Sequence, residues 1–196
     1  IPILITTLFA FIFMNNLPNI SSNFFSQLVI FKNKHTLLTT ILYVMSFGSF
    51  IGYSAGFPLL IKNQFPEVNA LKYSFLGPMV GAIIRPFGGY LSDKFGGAFV
   101  TFIDLIFMIF AVIGVIYFTG LDNKSFVGFF IMFMILFMTT GIANGSVFQI
   151  IPMCFTSKES AAVLGFTSAI AAYGAYLIPK SYSLSVEISG SPIFAL

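Results

Sequence analysis

The chain has no tryptophan, one cysteine, one histidine and one arginine in 196 residues, and charged side chains make up only 8% of it. Each scarcity excludes something. A lone Cys154 rules out a disulfide framework and a cysteine-held metal site. No group of His, Cys and carboxylates has metal-ligand spacing. Neither a Ser/His/acid set nor a phosphate-cradling loop is present, so neither an enzyme nor a bound metal or other cofactor is expected. The net charge of +3 comes from lysines scattered over connecting segments. Without a basic run or an interleaved aromatic stripe, nucleic acid is not an expected partner. His35 stands beside Lys34 in a connection and reads as a solvated surface residue. Ordinary soluble domains carry about 25% charged residues. With 58% apolar residues and a mean hydropathy of +0.99, this sequence reads as an integral membrane protein whose solvent is the lipid bilayer.

Helices are the economical way to satisfy backbone groups in lipid, and no strand alternation interrupts the apolar runs. Residues 1–14 form an apolar run shorter than the roughly 20 residues a crossing needs. They read as the tail of a helix in a longer chain, since no basic leader or small-residue cleavage site marks a signal peptide. Residues 15–35 are a polar connection with an amphipathic middle from Phe24 to Phe31. Full spans are expected from Leu37 to Ile61, Tyr73 to Lys94, Ala98 to Thr119, within the 33 uncharged residues from Ser125 to Ser157, and from Ser160 to Pro179. The Tyr73–Lys94 span should be bent or weakened at Pro78 and Pro86. Short turns between spans make neighbours antiparallel. Lysine bias does not orient the bundle: one face collects Lys32, Lys34, Lys94 and Lys158, the other Lys62, Lys72, Lys124 and Lys180.

Arg85, the single arginine, interrupts the apolar stretch of the second full span. A permanent charge near the bilayer midplane costs roughly 3 kcal/mol or more unless it meets a watery cavity or an anionic partner. Two readings fit: a structural cation paired with a carboxylate or with carbonyls freed by Pro86, or an anion site. Every other cation is a lysine, and a guanidinium offers a flat oxyanion a rigid planar fork that an ammonium lacks. At about 1.5 Å per residue from the face holding Lys34, Lys94 and Lys158, Phe47 lies roughly 16 Å deep, Arg85 roughly 14 Å, Asn144 roughly 15 Å and Ile170, beside Ser168, roughly 15 Å. Transporter sites sit in such a midplane layer. Tyr43 and Phe47 are one helical turn apart and share a face, which by itself fits packing as well as binding. Asp104 is the other deep charge. It reads as a proton-coupling carboxylate, as the partner of Arg85, or as an acid tolerated near a helix end. Glycines at four-residue spacing (Gly48, Gly52 and Gly56; Gly77 and Gly81; Gly141 and Gly145) suit close helix packing.

The run Gly89-Tyr-Leu-Ser-Asp93-Lys94-Phe-Gly96-Gly97 resembles the G-x-L-x-D-R/K-x-G-G loop of the major facilitator superfamily, with Ala98 where a basic residue is usual. The resemblance implies that this loop is cytoplasmic and that Asp93 and Lys94 help lock one gating state. A narrower likeness covers nearly the whole chain. Residues 42–57, 77–97, 141–152 and 165–181 resemble the C-terminal half of the nitrate/nitrite porter family. That family clamps its anion between two arginines, one from each half, and Arg85 matches the C-terminal one. Tyr43 and Phe47 match aromatic and hydroxyl contacts of the seventh helix, and Gly165 and Ser168 match the start of the nitrate signature on the eleventh. Asn144 is added on depth alone. Ala171 and Ala175 replace glycines of the signature, and Tyr173 adds bulk, which implies a looser helix approach there.

The expected architecture is therefore all-α and transmembrane. It is the C-terminal half of a major facilitator bundle, about five and a half helices in antiparallel hairpins: residues 1–14 the tail of the sixth helix, 15–35 a cytoplasmic linker between halves, and 36–196 helices seven to eleven. The implied partners are nitrate or nitrite, the lipid bilayer and an N-terminal half of the same transporter, in a bacterial inner membrane. The implied activity is alternating-access transport, with nitrate/nitrite antiport foremost. Proton-coupled nitrate uptake or another anion carrier of the superfamily are the alternatives, and a non-transporting membrane sensor or a degenerate fragment is the alternative of a different class.

Overall fold

A computed structural model describes residues 2–14, 28–120 and 124–196, and among them every regular element is helical. Helix α1 (Pro2–Phe13) precedes a 3-10 turn, Leu28–Lys32. The amphipathic connection expected from Phe24 to Phe31 falls largely outside the described residues. Helix α2 (Lys34–Tyr43) starts at Asn33, whose side chain accepts a hydrogen bond from the His35 backbone N–H at 3.0 Å. It satisfies one of the donors a helix start leaves orphaned. A π turn, Val44–Gly48, joins it to α3 (Ser49–Gln64). Then follow α4 (Ala70–Tyr73), α5 (Leu76–Phe95), α6 (Gly97–Gly120), α7 (Phe126–Cys154), α8 (Ser157–Ala172), α9 (Gly174–Ser189) and a final 3-10 turn, Pro192–Ala195.

Four stretches are long and apolar enough to cross a membrane: Lys34–Gln64, Gly97–Gly120, Phe126–Cys154 and Glu159–Ser189. The sequence led us to expect five full spans. The fifth, α5, is a continuous 20-residue helix, but its glycines, prolines and charges keep it outside that set. Only a narrow face of it, Gly77, Gly81, Gly88 and Ser92, is buried, with α7 packed along it and α6 turning back beside it, while Met79, Ile83, Phe87 and Tyr90 form an exposed apolar outer face. The last span was expected to stop at Pro179, yet the helix runs through Pro179 to Ser189. The interruption falls instead at Tyr173, where α8 closes and α9 begins. Proline lacks the N–H that would bond the carbonyl one turn earlier, and here that loss does not end the helix.

Between α5 and α6 the chain turns on one residue, Gly96, at φ +90°. Only glycine occupies that region without a Cβ penalty. Helix α7 lies at the centre, against both α5 and α6, while α3 pairs with α9 and α2 with α8. The main core is aromatic: Phe57, Phe129, Phe133 and Phe137 are fully buried, with Phe57 and Phe133 stacked at 4.6 Å between centroids. Polar ties are few. Lys124 Nζ donates to Gln64 Oε1 at 2.8 Å, and the Thr101 and Ser146 hydroxyls meet at 2.6 Å between α6 and α7. The outer face of α6 presents Phe99, Phe102, Phe107 and Phe110, as a lipid-facing helix should.

The glycine spacing becomes two seams. Along α5–α7, Gly77 makes room for the Phe137 ring, and Gly88 and Gly141 bring the two backbones together at Ile142 and Gly81. Along the second seam, a Cβ on Gly48 would stand 3.1 Å from the Ala171 carbonyl, while Gly174 packs directly on the Gly48 backbone. The looser approach implied by Ala171 and Ala175 is therefore not what is found. Gly174 takes over the contact one turn away, Ala171 is fully buried against Tyr43 and Val147, and Ala175 and Tyr173 point to the exposed side.

Candidate functional site

Arg85 leaves α5 next to the seam with α7 and directs its guanidinium toward the π turn. Its Cζ lies 5.8 Å from the centroid of Phe47, inside that turn, and 5.2 Å from the centroid of Phe50, in the first turn of α3. A guanidinium over aromatic faces is held by the ring quadrupole. Among the described residues it makes no ion pair or hydrogen bond, and its Nε is buried without a partner. Pro86 follows it inside a continuous helix and leaves the carbonyl one turn earlier without its usual donor, yet Arg85 makes no hydrogen bond to a carbonyl among the described residues. A π turn is rare and often marks a functional position; here it carries Phe47 itself.

Tyr43, one turn earlier, is 3% exposed. Its ring stacks on Phe47 at 5.2 Å and tilts against Phe148 of α7 at 5.7 Å. Its hydroxyl faces Ser168 on α8, without a formed hydrogen bond between them, and is close enough to Arg85 to feel its charge. Five elements thus converge: α5 brings the cation, α2 and the π turn the aromatic pair, α8 the serine, and α7 a ring behind them. Asn144 is completely buried in α7, and both polar atoms of its amide lack a protein partner. It stands one turn before Phe148 and so on the face of α7 that turns toward Tyr43. Such an unsatisfied buried amide costs on the order of 1–3 kcal/mol unless water or a ligand meets it.

The remaining sequence-derived positions are dispersed. Gly165, one turn before Ser168, is exposed, with open space where a side chain would be; it forms no close wall within this chain. Gly97 is buried at the start of α6, and a Cβ there would stand 2.8 Å from Ile150 and 3.2 Å from the Ser146 carbonyl. Gly89 lies on α5, with only ordinary contact distance to Gln149. Asp93 and Lys94 are exposed at the end of α5, and the Lys94 Nζ sits 5.3 Å over the Phe95 ring. Together with Gly96 they occupy one end of the bundle, distant along α5 from Arg85.

Asp104 is not the partner of Arg85. It is 5% exposed at the α6–α7 contact, where its carboxyl meets the backbone of Ala143 and Oδ2 has no partner. Two rings at the site escaped the sequence reading. Phe50 is three residues after Phe47, and Phe148 is four after Asn144; both spacings were visible, but a chain with 27 phenylalanines gives no reason to single out either. Among the described residues no three His, Cys, Asp or Glu side chains gather as metal ligands.

Among the described residues, then, a guanidinium without an ion pair is set against two aromatic rings inside an all-helical bundle with stretches long enough to cross a membrane. The chain matches the Major Facilitator Superfamily over residues 2–179. It belongs to that superfamily and is a multi-pass protein of the bacterial inner membrane. Within the superfamily it is similar to the nitrate/nitrite transporter NarU of Escherichia coli K12, at 40% identity over 219 residues that cover 100% of this chain and 47% of the relative. The probable nitrate/nitrite antiporter NarK2 of Thermus thermophilus is 36% identical over 96% of this chain and 43% of its own length. The probable nitrate transporter NarT of Staphylococcus epidermidis is 27% identical over 82% of this chain and 40% of its own. The chain thus spans about half the length of the curated relatives it matches.

Proposed function

We propose that this chain supplies the C-terminal half of a carrier that moves nitrate, nitrite or both by alternating access, and that it works as a nitrate/nitrite exchanger. In this reading residues 1–14 end the sixth helix, 15–35 link the halves, and 36–196 carry helices seven to eleven. One observation carries the reading: Arg85 is held by two phenylalanine rings and by no carboxylate among the described residues. A cation left unneutralised at that depth is stable only when an anion or water faces it.

Nitrate is flat, singly charged and loosely hydrated. Arg85 supplies charge and donors, Tyr43 and Ser168 hydroxyls, and Phe47 a face for the planar ion. Asn144 offers donors from behind, and Gly165 leaves space for a facing helix of the N-terminal half. A second cation from that half would complete a clamp around the ion. Two cations cannot approach in a dry site without an anion between them, so the empty carrier resists switching and exchange follows. Gly89, Asp93, Lys94, Gly96 and Gly97 form the gate at the cytoplasmic end, their exposed charges free to engage the other half. The names of the relatives, an antiporter among them, support the same substrate and mode.

Arg85→Lys, assayed with both halves present, tests the substrate reading. Keeping the charge while removing the fork should reduce nitrate uptake into proteoliposomes by at least about tenfold, the loss of roughly one charge-assisted hydrogen bond. Near-normal uptake would leave Arg85 a structural cation. Exchange is tested separately, since uptake undiminished in vesicles loaded without anion counts against it. The buried, half-satisfied carboxyl of Asp104 favours a second reading, proton-coupled uptake. A nitrate-driven pH change lost in Asp104→Asn would support it.

A further inference from the structure

We propose that Phe50 is a positioning residue for Arg85, holding the guanidinium face so that its donor edge stays directed at the anion. The inference rests on the reading of Arg85 as the anion-binding group. Of the two rings near the cation, Phe50 is the closer, at 5.2 Å from Cζ against 5.8 Å for Phe47. No hydrogen bond or ion pair fixes the guanidinium among the described residues, and Nε is buried without a partner. Its orientation therefore depends on the rings.

Phe50 is itself immobilised. Its ring meets the fully buried Phe137 edge-on, with centroids 6.1 Å apart and planes at 85°. It also fills the notch over Gly81, where a Cβ would stand only 2.6 Å from Phe50 Cε2. Gly81 and Arg85 are four residues apart and share a face of α5. The absence of a side chain at Gly81 thus lets the ring reach the stem of Arg85's own helix face. Phe137 is in turn packed against Phe57 and Phe133. A rigid aromatic core ends in the ring that touches the cation. Phe47 is differently placed, because its ring also stacks on Tyr43 and faces the anion in the proposed site. Phe50 has no such second duty; its ring contacts are the cation and hydrocarbon.

Cation–π attraction scales with the negative potential of the ring face, which fluorine removes without changing shape appreciably. Nitrate affinity should be measured in the carrier with both halves present and Phe50 replaced by mono-, di- and trifluorophenylalanine. The dissociation constant should rise stepwise, by about fivefold across the series, with unchanged thermal midpoints. Phe50→Leu should show a similar loss and Phe50→Tyr should restore affinity. A flat fluorine series overturns the role of Phe50, as does loss in Phe50→Tyr equal to that in Phe50→Leu. Arg85→Lys separates the two levels. If it transports normally, the anion site and the role of Phe50 fall together; if it is crippled while the fluorine series is flat, only the role of Phe50 falls.

Discussion

Gly145→Ala adds one methyl group where α7 touches the backbone of Arg85 itself, and the consequence can be worked from the geometry. The new Cβ would fall well inside van der Waals contact with the Arg85 carbonyl oxygen, 2.8 Å from the Gly89 nitrogen and 3.2 Å from the Gly88 carbonyl carbon. Comfortable carbon contacts begin near 3.5 Å. All three obstacles are backbone atoms of α5, so no flexible side chain can swing away. The helices must separate by about 1 Å, at an overpacking cost of about 1–3 kcal/mol. The same movement shifts Arg85 relative to Phe47 and Phe50. Misplacing a positioned group by about 1 Å can cost about 100-fold in rate. Nitrate uptake into proteoliposomes should therefore fall by about 10- to 100-fold, with a lowered thermal midpoint in detergent. Gly89→Ala is the stability control. Its Cβ would meet only Gln149 Nε2 at 3.8 Å, an ordinary contact, so its midpoint should match wild type. Wild-type uptake and stability in Gly145→Ala would refute the tight α5–α7 seam and its link to the site.

Tyr43→Phe and Ser168→Ala each remove one hydroxyl of a facing pair. Each should raise the KM for nitrate by about fivefold, the worth of one modest hydrogen bond, and the double variant should lose less than the product of the two. Independent effects would mean the hydroxyls do not act together. Asp104→Asn replaces a buried acid whose Oδ2 has no partner with a neutral side chain of the same shape that can neither take up nor release a proton. Under the exchange reading its nitrate uptake and thermal midpoint should stay at or above wild type, measured side by side.

Glycine at Gly96 and the two close seams also bear on how such a half-bundle moves. A seam made of backbone contacts, as between Gly48 and the Ala171 carbonyl of α8, transmits a shift of one helix directly to the other, because no side chain stands between them to absorb it. Helix α8 carries Ser168, and the π turn carries Phe47, so the two walls of the site are coupled through that contact.

Composition determined that the chain lives in a bilayer, and the long uncharged runs without strand alternation pointed to helices as the way to satisfy its backbone there. Helical periodicity also put Tyr43 with Phe47, since residues one turn apart share a face by fixed geometry, whereas Gly165 and Ser168 came from the family resemblance. The solitary Arg85 was legible because a charge is conspicuous in hydrocarbon. What touches across helices was not, because crossing angle, depth and rotation are set by packing many side chains at once. Only the folded chain separates Asp104, turned to Ala143 on α7, from Arg85. Only there does Phe50 drop into the notch over Gly81, and Gly174 replace the expected signature glycines against Gly48. Helical rise set Phe47 near the depth of Arg85, but the π turn at Val44–Gly48 departs from the regular period, so which way its ring faces was decided by the fold.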